Sequence, residues 1–100
     1  MIAALQRKKI RILELLLKQT EDQLALRLQV SCENITYEIC FFNVSCLHIW
    51  QLSMPAESHG FELIDHRKDG WGRHAFYEIH DFEEDLIHFY CEEYRIERRD

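Results

Sequence analysis

The sequence predicts an α+β domain, in which an N-terminal helix covers one face of an antiparallel β-sheet of about six strands. Three observations lead to this prediction. Residues 2–18 have the composition of a helix, residues 24–42 alternate between apolar and polar side chains, and Asp69-Gly70 separates two further alternating runs. A chain of 100 residues is large enough to form one domain, residues 1–100, with a core of its own.

The N-terminal segment is rich in Ala, Leu, Gln, Lys and Arg, all of which form helices readily. On a helix, one face would carry Ile2, Leu5, Ile12, Leu13 and Leu16. The competing interpretation is a strand over residues 10–18 that returns through Thr20-Glu21-Asp22, because short apolar runs fit both structures. We favour the helix.

Residues 24–42 predict a hairpin with a definite register. A two-residue turn at Glu33-Asn34 places the apolar sets of both strands on one face. The predicted partners are Val30 with Tyr37, Leu28 with Ile39, and Leu26 with Phe41. A third strand is predicted over about residues 46–52, and a loop over residues 53–60 contains the only proline of the chain.

A second hairpin is predicted around Asp69-Gly70. A two-residue turn would place Phe61 opposite the charged Glu78, so we favour a three-residue loop, Lys68-Asp69-Gly70. This loop pairs Asp65 with Arg73, Leu63 with Ala75, and Phe61 with Tyr77. The inner face would then consist of Phe61, Leu63, Ala75, Tyr77 and Ile79.

Residues 81–98 fit two structures. As a helix they would begin with Asp81 as the N-cap and Glu84 as its capping-box partner. As a strand they would follow the preceding strand through a turn at Glu83-Glu84-Asp85, and their aromatic residues favour this interpretation.

Composition excludes several classes of function. A formal net charge of −6 argues against general affinity for nucleic acid. No run reaches membrane-spanning length and no signal peptide is visible, so we expect a cytoplasmic protein. The four cysteines form no Cys-x-x-Cys pair, which favours reduced, packed thiols.

Because no nucleophile elbow, phosphate loop or dinucleotide motif occurs, we expect neither an enzyme nor a bound cofactor.

Charge is distributed unevenly along the chain. Residues 1–18 contain five basic residues and one acid, whereas residues 78–97 contain eight acids and one base. Trp71 lies between two glycines, where it is difficult to bury, and exposed tryptophans are common in binding hot spots. The sequence therefore predicts a small intracellular interaction module that binds a basic protein. The predicted contact residues are Trp71, Asp81, Glu83, Glu84, Asp85, Glu92 and Glu93.

This profile of a small, acidic, intracellular chain without a catalytic signature is similar to that of bacterial immunity and antitoxin-type proteins. The resemblance implies that the acidic surface would block the basic site of a toxin. A third possibility, pairing of two copies through an exposed sheet edge, is compatible with this function and with the alternative that follows.

The alternative prediction is a small-ligand or metal-binding domain on the histidine-rich face of the second hairpin, supported by the 53–60 loop. Its candidate ligands are His66, His74, Glu78 and His80. His74 and His80 lie about 20 Å apart along a strand, so they cannot both hold one ion. Glu78 and His80 could do so together with a residue on a neighbouring strand.

Overall fold

The computed structural model describes residues 2, 5–50, 55–67 and 76–99, and these residues form two antiparallel β-sheets. The strands are β1 Ile10–Gln19, β2 Leu24–Cys32, β3 Ile35–Phe42, β4 Ser45–Ile49, β5 Ala56–Ser58, β6 Phe61–Asp65, β7 Tyr77–Asp81, β8 Ile87–Cys91 and β9 Glu93–Arg98. The first sheet has the order β5-β1-β2-β3-β9 and the second has the order β4-β8-β7-β6.

The predicted N-terminal helix is wrong, and so is the α+β class that depended on it. Residues 10–19 form β1, which pairs with β2 from Arg11 to Gln19. Pairing buries Ile10 and Ile12 completely, whereas a helix would have placed Leu13 and Leu16 on their face, and both of these are exposed. Tertiary pairing therefore overrides the local helix propensity. The described part of the chain contains no α-helix, and it forms sheets of five and four strands rather than one of about six.

The competing strand interpretation of this segment is confirmed. Strand β1 returns through a turn at residues 20–23, in which the Thr20 amide donates to the Gln23 carbonyl at 2.9 Å. The β2–β3 hairpin has the predicted register, with Val30 opposite Tyr37 and Leu28 opposite Ile39. Glu33 and Asn34 have φ angles of 51° and 66°, as a two-residue hairpin turn requires.

The β6–β7 hairpin keeps its predicted faces, but its register differs from the prediction by four residues. Leu63 lies opposite Ile79 and Phe61 lies opposite Asp81. A shift of four is even, so the apolar face is preserved. The predicted loop at residues 68–70 and the predicted partners Arg73 and Ala75 lie outside the described residues. The observed register is held at the opposite end of the hairpin, where the Asp81 carboxylate accepts from the Gly60 amide at 3.2 Å.

The strand interpretation of residues 81–98 is also confirmed, but two strands occupy this segment. Strand β8 pairs with β7 in the second sheet, and β9 pairs with β3 in the first. The chain bends between them at Glu92, whose amide donates to the Phe42 carbonyl at 3.0 Å. This bend carries the chain from one sheet to the other.

The core lies between the two sheets. Phe41 of β3 and Phe89 of β8 meet edge to face, with ring centroids 4.9 Å apart. Ile79, Ile87 and Phe89 are fully buried, so the residues that alternate with them on β7 and β8 point to the outer face of the second sheet. The described residues include no helix that is long and apolar enough to cross a membrane.

Candidate metal centre

A row of polar side chains crosses the outer face of the second sheet. His48 of β4 lies opposite His88 of β8, and His88 lies opposite His80 of β7. Glu62 of β6 lies opposite His80 and completes the row. Glu78 is two residues before His80 on the same strand and therefore lies on the same face. Four separate strands thus bring titratable groups to one surface.

Three of these side chains form a compact cluster. One ligand atom from each of Glu78, His80 and His88 can be chosen so that all three lie within 4.8 Å of one another. His88 Nε2 lies 2.7 Å from Glu78 Oε2. The rings of His80 and His88 stack with their centroids 4.1 Å apart and their planes 19° from parallel.

Glu78 lies between two imidazole rings. His66 Nε2 lies 2.8 Å from Oε1 of Glu78, and His88 occupies the other oxygen. Burial alone would raise the pKa of Glu78 and is the largest single influence on it. The hydrogen bonds and the charge interactions with His66 and His88 together outweigh burial, so the pKa of Glu78 lies below its ordinary value of 4.5. Because an ionised carboxylate can only accept, both rings donate an N–H to Glu78.

His80 has a carboxylate partner of its own. The β7–β8 turn brings Asp85 back over the sheet, where its Oδ1 lies 2.8 Å from His80 Nε2. The hydrogen bond from His80 lowers the pKa of Asp85. Asp85 is thus held in the ionised form beside the ring and fixes the ring orientation.

Aromatic side chains surround the cluster. Phe82 packs against His80 with centroids 4.2 Å apart, and Trp50 stacks on His48 at 6.3 Å. Tyr90 lies 5.4 Å from His88, and its pKa is raised by burial and by the negative charge of Glu78. Trp50 and Phe82 are more than half exposed, at 56% and 52%. Phe82 and Tyr90 therefore contact the polar cluster directly, and Trp50 packs on the neighbouring His48.

The structure brings together three of the four ligands that the sequence predicted as a metal set. Glu78 and His80 belong to the cluster and His66 supports it through Glu78, whereas His74 lies outside the described residues. Sequence reasoning did not select His88. The signal was nevertheless present, because a turn at residues 83–85 places residue 88 opposite residue 80.

The predicted acidic contact residues fall into two groups. Glu83, Glu84 and Asp85 are exposed in the β7–β8 turn, where Glu84 contacts His59. The half-buried Glu92 and the exposed Glu93 lie beyond the far end of β8, and a strand of that length spans about 16 Å. The predicted surface is therefore divided, and Trp71 lies outside the described residues.

Asp81 belongs to neither group, because its side chain is fully buried. Its Oδ1 accepts from the amides of Gly60 and Glu83, at 3.2 and 3.3 Å, and its Oδ2 accepts from the amide of Leu86 at 3.4 Å. This carboxylate organises the β7–β8 turn.

The cysteines do not take part in the cluster. All four are free; Cys32 and Cys91 are buried, Cys40 is half-buried and Cys46 is exposed. Within the described ranges, Glu78, His80 and His88 form the one group of His, Cys, Asp or Glu compact enough to suggest a metal site.

Comparisons with protein families, with curated proteins and with solved structures found no match to this chain.

Proposed function

We propose that the protein binds a divalent transition-metal ion of the zinc class through Glu78, His80 and His88. The observation that carries the proposal is the convergence of three ligand atoms from two adjacent strands to within 4.8 Å of one another. Two imidazoles and one carboxylate form a ligand set typical of zinc sites that keep a fourth position open. Imidazole ligands favour zinc, copper and nickel over magnesium or calcium.

The distances are compatible with small side-chain movements. Ligand atoms around a tetrahedral zinc ion lie about 3.3 Å apart, since each bond is about 2.0–2.2 Å long. The widest spacing within the 4.8 Å limit must therefore contract by at most about 1.5 Å, whereas His88 Nε2 and Glu78 Oε2, now 2.7 Å apart, must separate by about 0.6 Å. An ion between Glu78 and His88 would replace the proton that His88 donates to the carboxylate. Protons and metal therefore compete, and binding should weaken in acid.

Two further side chains support this arrangement from outside the ligand set. His66 Nε2 is hydrogen-bonded to the second oxygen of Glu78, and Asp85 is hydrogen-bonded to Nε2 of His80. Hydrogen bonds of this kind orient metal ligands and increase their basicity. The proposal therefore assigns ligand roles to Glu78, His80 and His88, and orienting roles to His66 and Asp85.

The test is titration of the metal-free protein with Zn²⁺ by calorimetry, together with the thermal shift that Zn²⁺ causes. We expect one ion per chain and a stabilisation of about 2.7 kcal/mol when free zinc is at 100 times its dissociation constant. The metal-induced shift should disappear in His88→Ala and in Glu78→Gln. His59→Ala is the matched control, because His59 is exposed and contacts Glu57 and Glu84 outside the cluster. Absence of stoichiometric binding, or equal shifts in all variants, would refute the proposal.

A second candidate function is capture of a basic protein at the β7–β8 turn. It is favoured by the exposed aromatics Phe82 and Trp50 beside the acids of that turn, because aromatic anchors near charge are common in interfaces. Binding should weaken with salt and in the double variant Glu83→Lys/Glu84→Lys, which leaves the metal ligands intact. Pull-down from the native cell, compared between the two proteins, tests it. Recovery of the same partners at unchanged affinity would argue against this function.

A further inference from the structure

The outer edge of β1 is open along most of its length within the described part of the chain. Strand β2 pairs with one side of β1 from Arg11 to Gln19. On the other side, β5 is three residues long and pairs only with Ile10–Ile12. Among the described residues, therefore, no strand covers the outer edge of β1 from Leu13 to Gln19.

The composition of this edge is unusual. Natural sheet edges are commonly protected by charges, prolines or short strands. Here the edge contains four leucines within five residues, and three of them are exposed, Leu13 at 38%, Leu16 at 47% and Leu17 at 45%. These three belong to the five large apolar residues that are exposed in the described ranges. The edge therefore has the properties of a strand that pairs with another chain.

The segment from Glu14 to Lys18 is complementary to itself. If two copies of β1 pair antiparallel about Leu16, Glu14 of each copy lies opposite Lys18 of the other. The same register places Leu15 opposite Leu17 and Leu16 opposite its own copy. A shift of one residue would instead place Leu15 opposite Lys18 and would turn one copy's inner face outward. The charges and the apolar residues thus agree on a single two-fold register.

The faces of the sheet are consistent with this register. Leu15 and Leu17 of β1 lie opposite Leu28 and Leu26 of β2, which are buried between the sheets. Residues that alternate with them, Glu14, Leu16 and Lys18, lie on the outer face. In the two-fold register each inner-face leucine meets an inner-face leucine, and each outer-face charge meets the opposite charge.

We propose that β1 is a homodimerisation edge, at which a second copy of this chain pairs antiparallel about Leu16. The first sheets of the two protomers then join into one continuous sheet. The interface is independent of the proposed metal centre, since β1 and the cluster belong to different sheets.

The test is sedimentation equilibrium over a range of protein concentrations, in the presence of a chelator so that no metal can bridge two chains. We expect a monomer–dimer equilibrium that is weakened by salt. Glu14→Lys and Lys18→Glu each create two like-charge pairs across the two-fold axis, and each should weaken the dimer about tenfold. The charge-swapped double variant Glu14→Lys/Lys18→Glu should recover the dimer.

Recovery in the double variant separates an interface from a folding defect. Glu14 also lies 3.5 Å from Arg27 within its own chain, and the swap does not restore that contact. Leu16→Lys, which places two lysines at the axis, should leave a folded monomer by circular dichroism. A monomer at every concentration would overturn the proposal. A dimer that is equally strong in Glu14→Lys and Leu16→Lys would also overturn it.

Discussion

His80 and His88 lie directly opposite each other on β7 and β8, and their imidazole rings stack 4.1 Å apart. Each ring is also bound to its own carboxylate, His88 to Glu78 and His80 to Asp85, at 2.7 and 2.8 Å. The outer face of the second sheet is therefore an electrostatically coupled unit, and Glu78, with 13% of its side chain exposed, is its least solvated carboxylate.

We expect Glu78→Gln to destabilise the protein at neutral pH by about 1–3 kcal/mol, the usual cost of losing hydrogen bonds to a charged group. The pKa of Glu78 is lowered in the folded state, so its contribution is present above the ordinary value of 4.5 and is lost as the pH falls through the folded value. The difference from wild type should therefore shrink in acid. Urea unfolding across this pH range measures it.

The matched control is Glu62→Gln, which removes a carboxylate from the same sheet face, opposite His80. Glu62 is ion-paired with the largely exposed Arg7, and pairs of this kind contribute little. If the stability difference caused by Glu78→Gln stayed constant from neutral pH into acid, ionisation of the Glu78 carboxylate would not be the source of its contribution to stability.

The site was only partly predictable, because its members come from different strands. The alternation of residues 76–80 placed Glu78 and His80 on one face without knowledge of the fold. His88 required the choice between helix and strand for residues 81–98 to be settled first, since only the strand brings it opposite His80. The close approach of His66 to Glu78 depends on the register of β6 and β7. At the described end of the hairpin, this register is accompanied by the hydrogen bond from the Gly60 amide to the Asp81 carboxylate.

The core makes a separate prediction at the contact of Phe41 with Phe89. Both rings are fully buried and come from opposite sheets. We expect Phe89→Ala to destabilise the fold by about 3–5 kcal/mol, because it removes apolar burial and leaves a cavity between the sheets. Phe82→Ala is the control, since that ring is 52% exposed, and it should cost about 1 kcal/mol or less. If Phe89→Ala and Phe82→Ala lowered the free energy of unfolding by similar amounts in chemical denaturation, the assignment of the core would be contradicted.

The fold was predictable where two patterns constrained each other and unpredictable where only composition was available. In β2 and β3 the alternation of both strands agreed with one turn, and the register is as predicted. In β1 the composition favoured a helix. The decisive interaction is the pairing with β2, whose partners lie up to 20 residues away in the sequence, Arg11 with Ser31 at the far end. Intrinsic helix propensity depends on each residue alone and contains no information about such non-local pairing.

The approach of Gly60 to the β7–β8 turn predicts that a single methyl group is not tolerated there. A Cβ at residue 60 would lie 2.6 Å from Cγ of Glu83 and 2.7 Å from its backbone nitrogen. The backbone atom cannot move aside without disturbing the amides that Asp81 binds. We expect Gly60→Ala to cost about 1–3 kcal/mol in chemical denaturation.

Ser58→Ala provides a nearby control that is not expected to lower the stability of the protein. The Ser58 hydroxyl is buried and has no hydrogen-bond partner within the described residues, so its removal should be neutral or slightly stabilising. If both alanine variants changed stability equally, the close contact at Gly60 would not be the cause.

The cysteines should differ sharply in reactivity. Cys91 is completely buried, and burial raises the pKa of its thiol to about 12, whereas Cys46 is exposed. The thiolate is the reactive form, so a maleimide or disulfide reagent should modify Cys46 first and Cys91 only after global unfolding. Mass spectrometry of peptides from briefly labelled native protein identifies the site. Cys46→Ser should remove the fast phase and leave stability almost unchanged. Rapid labelling of Cys91 in the native protein would mean that β8 opens locally, which is incompatible with its position in the core between the sheets.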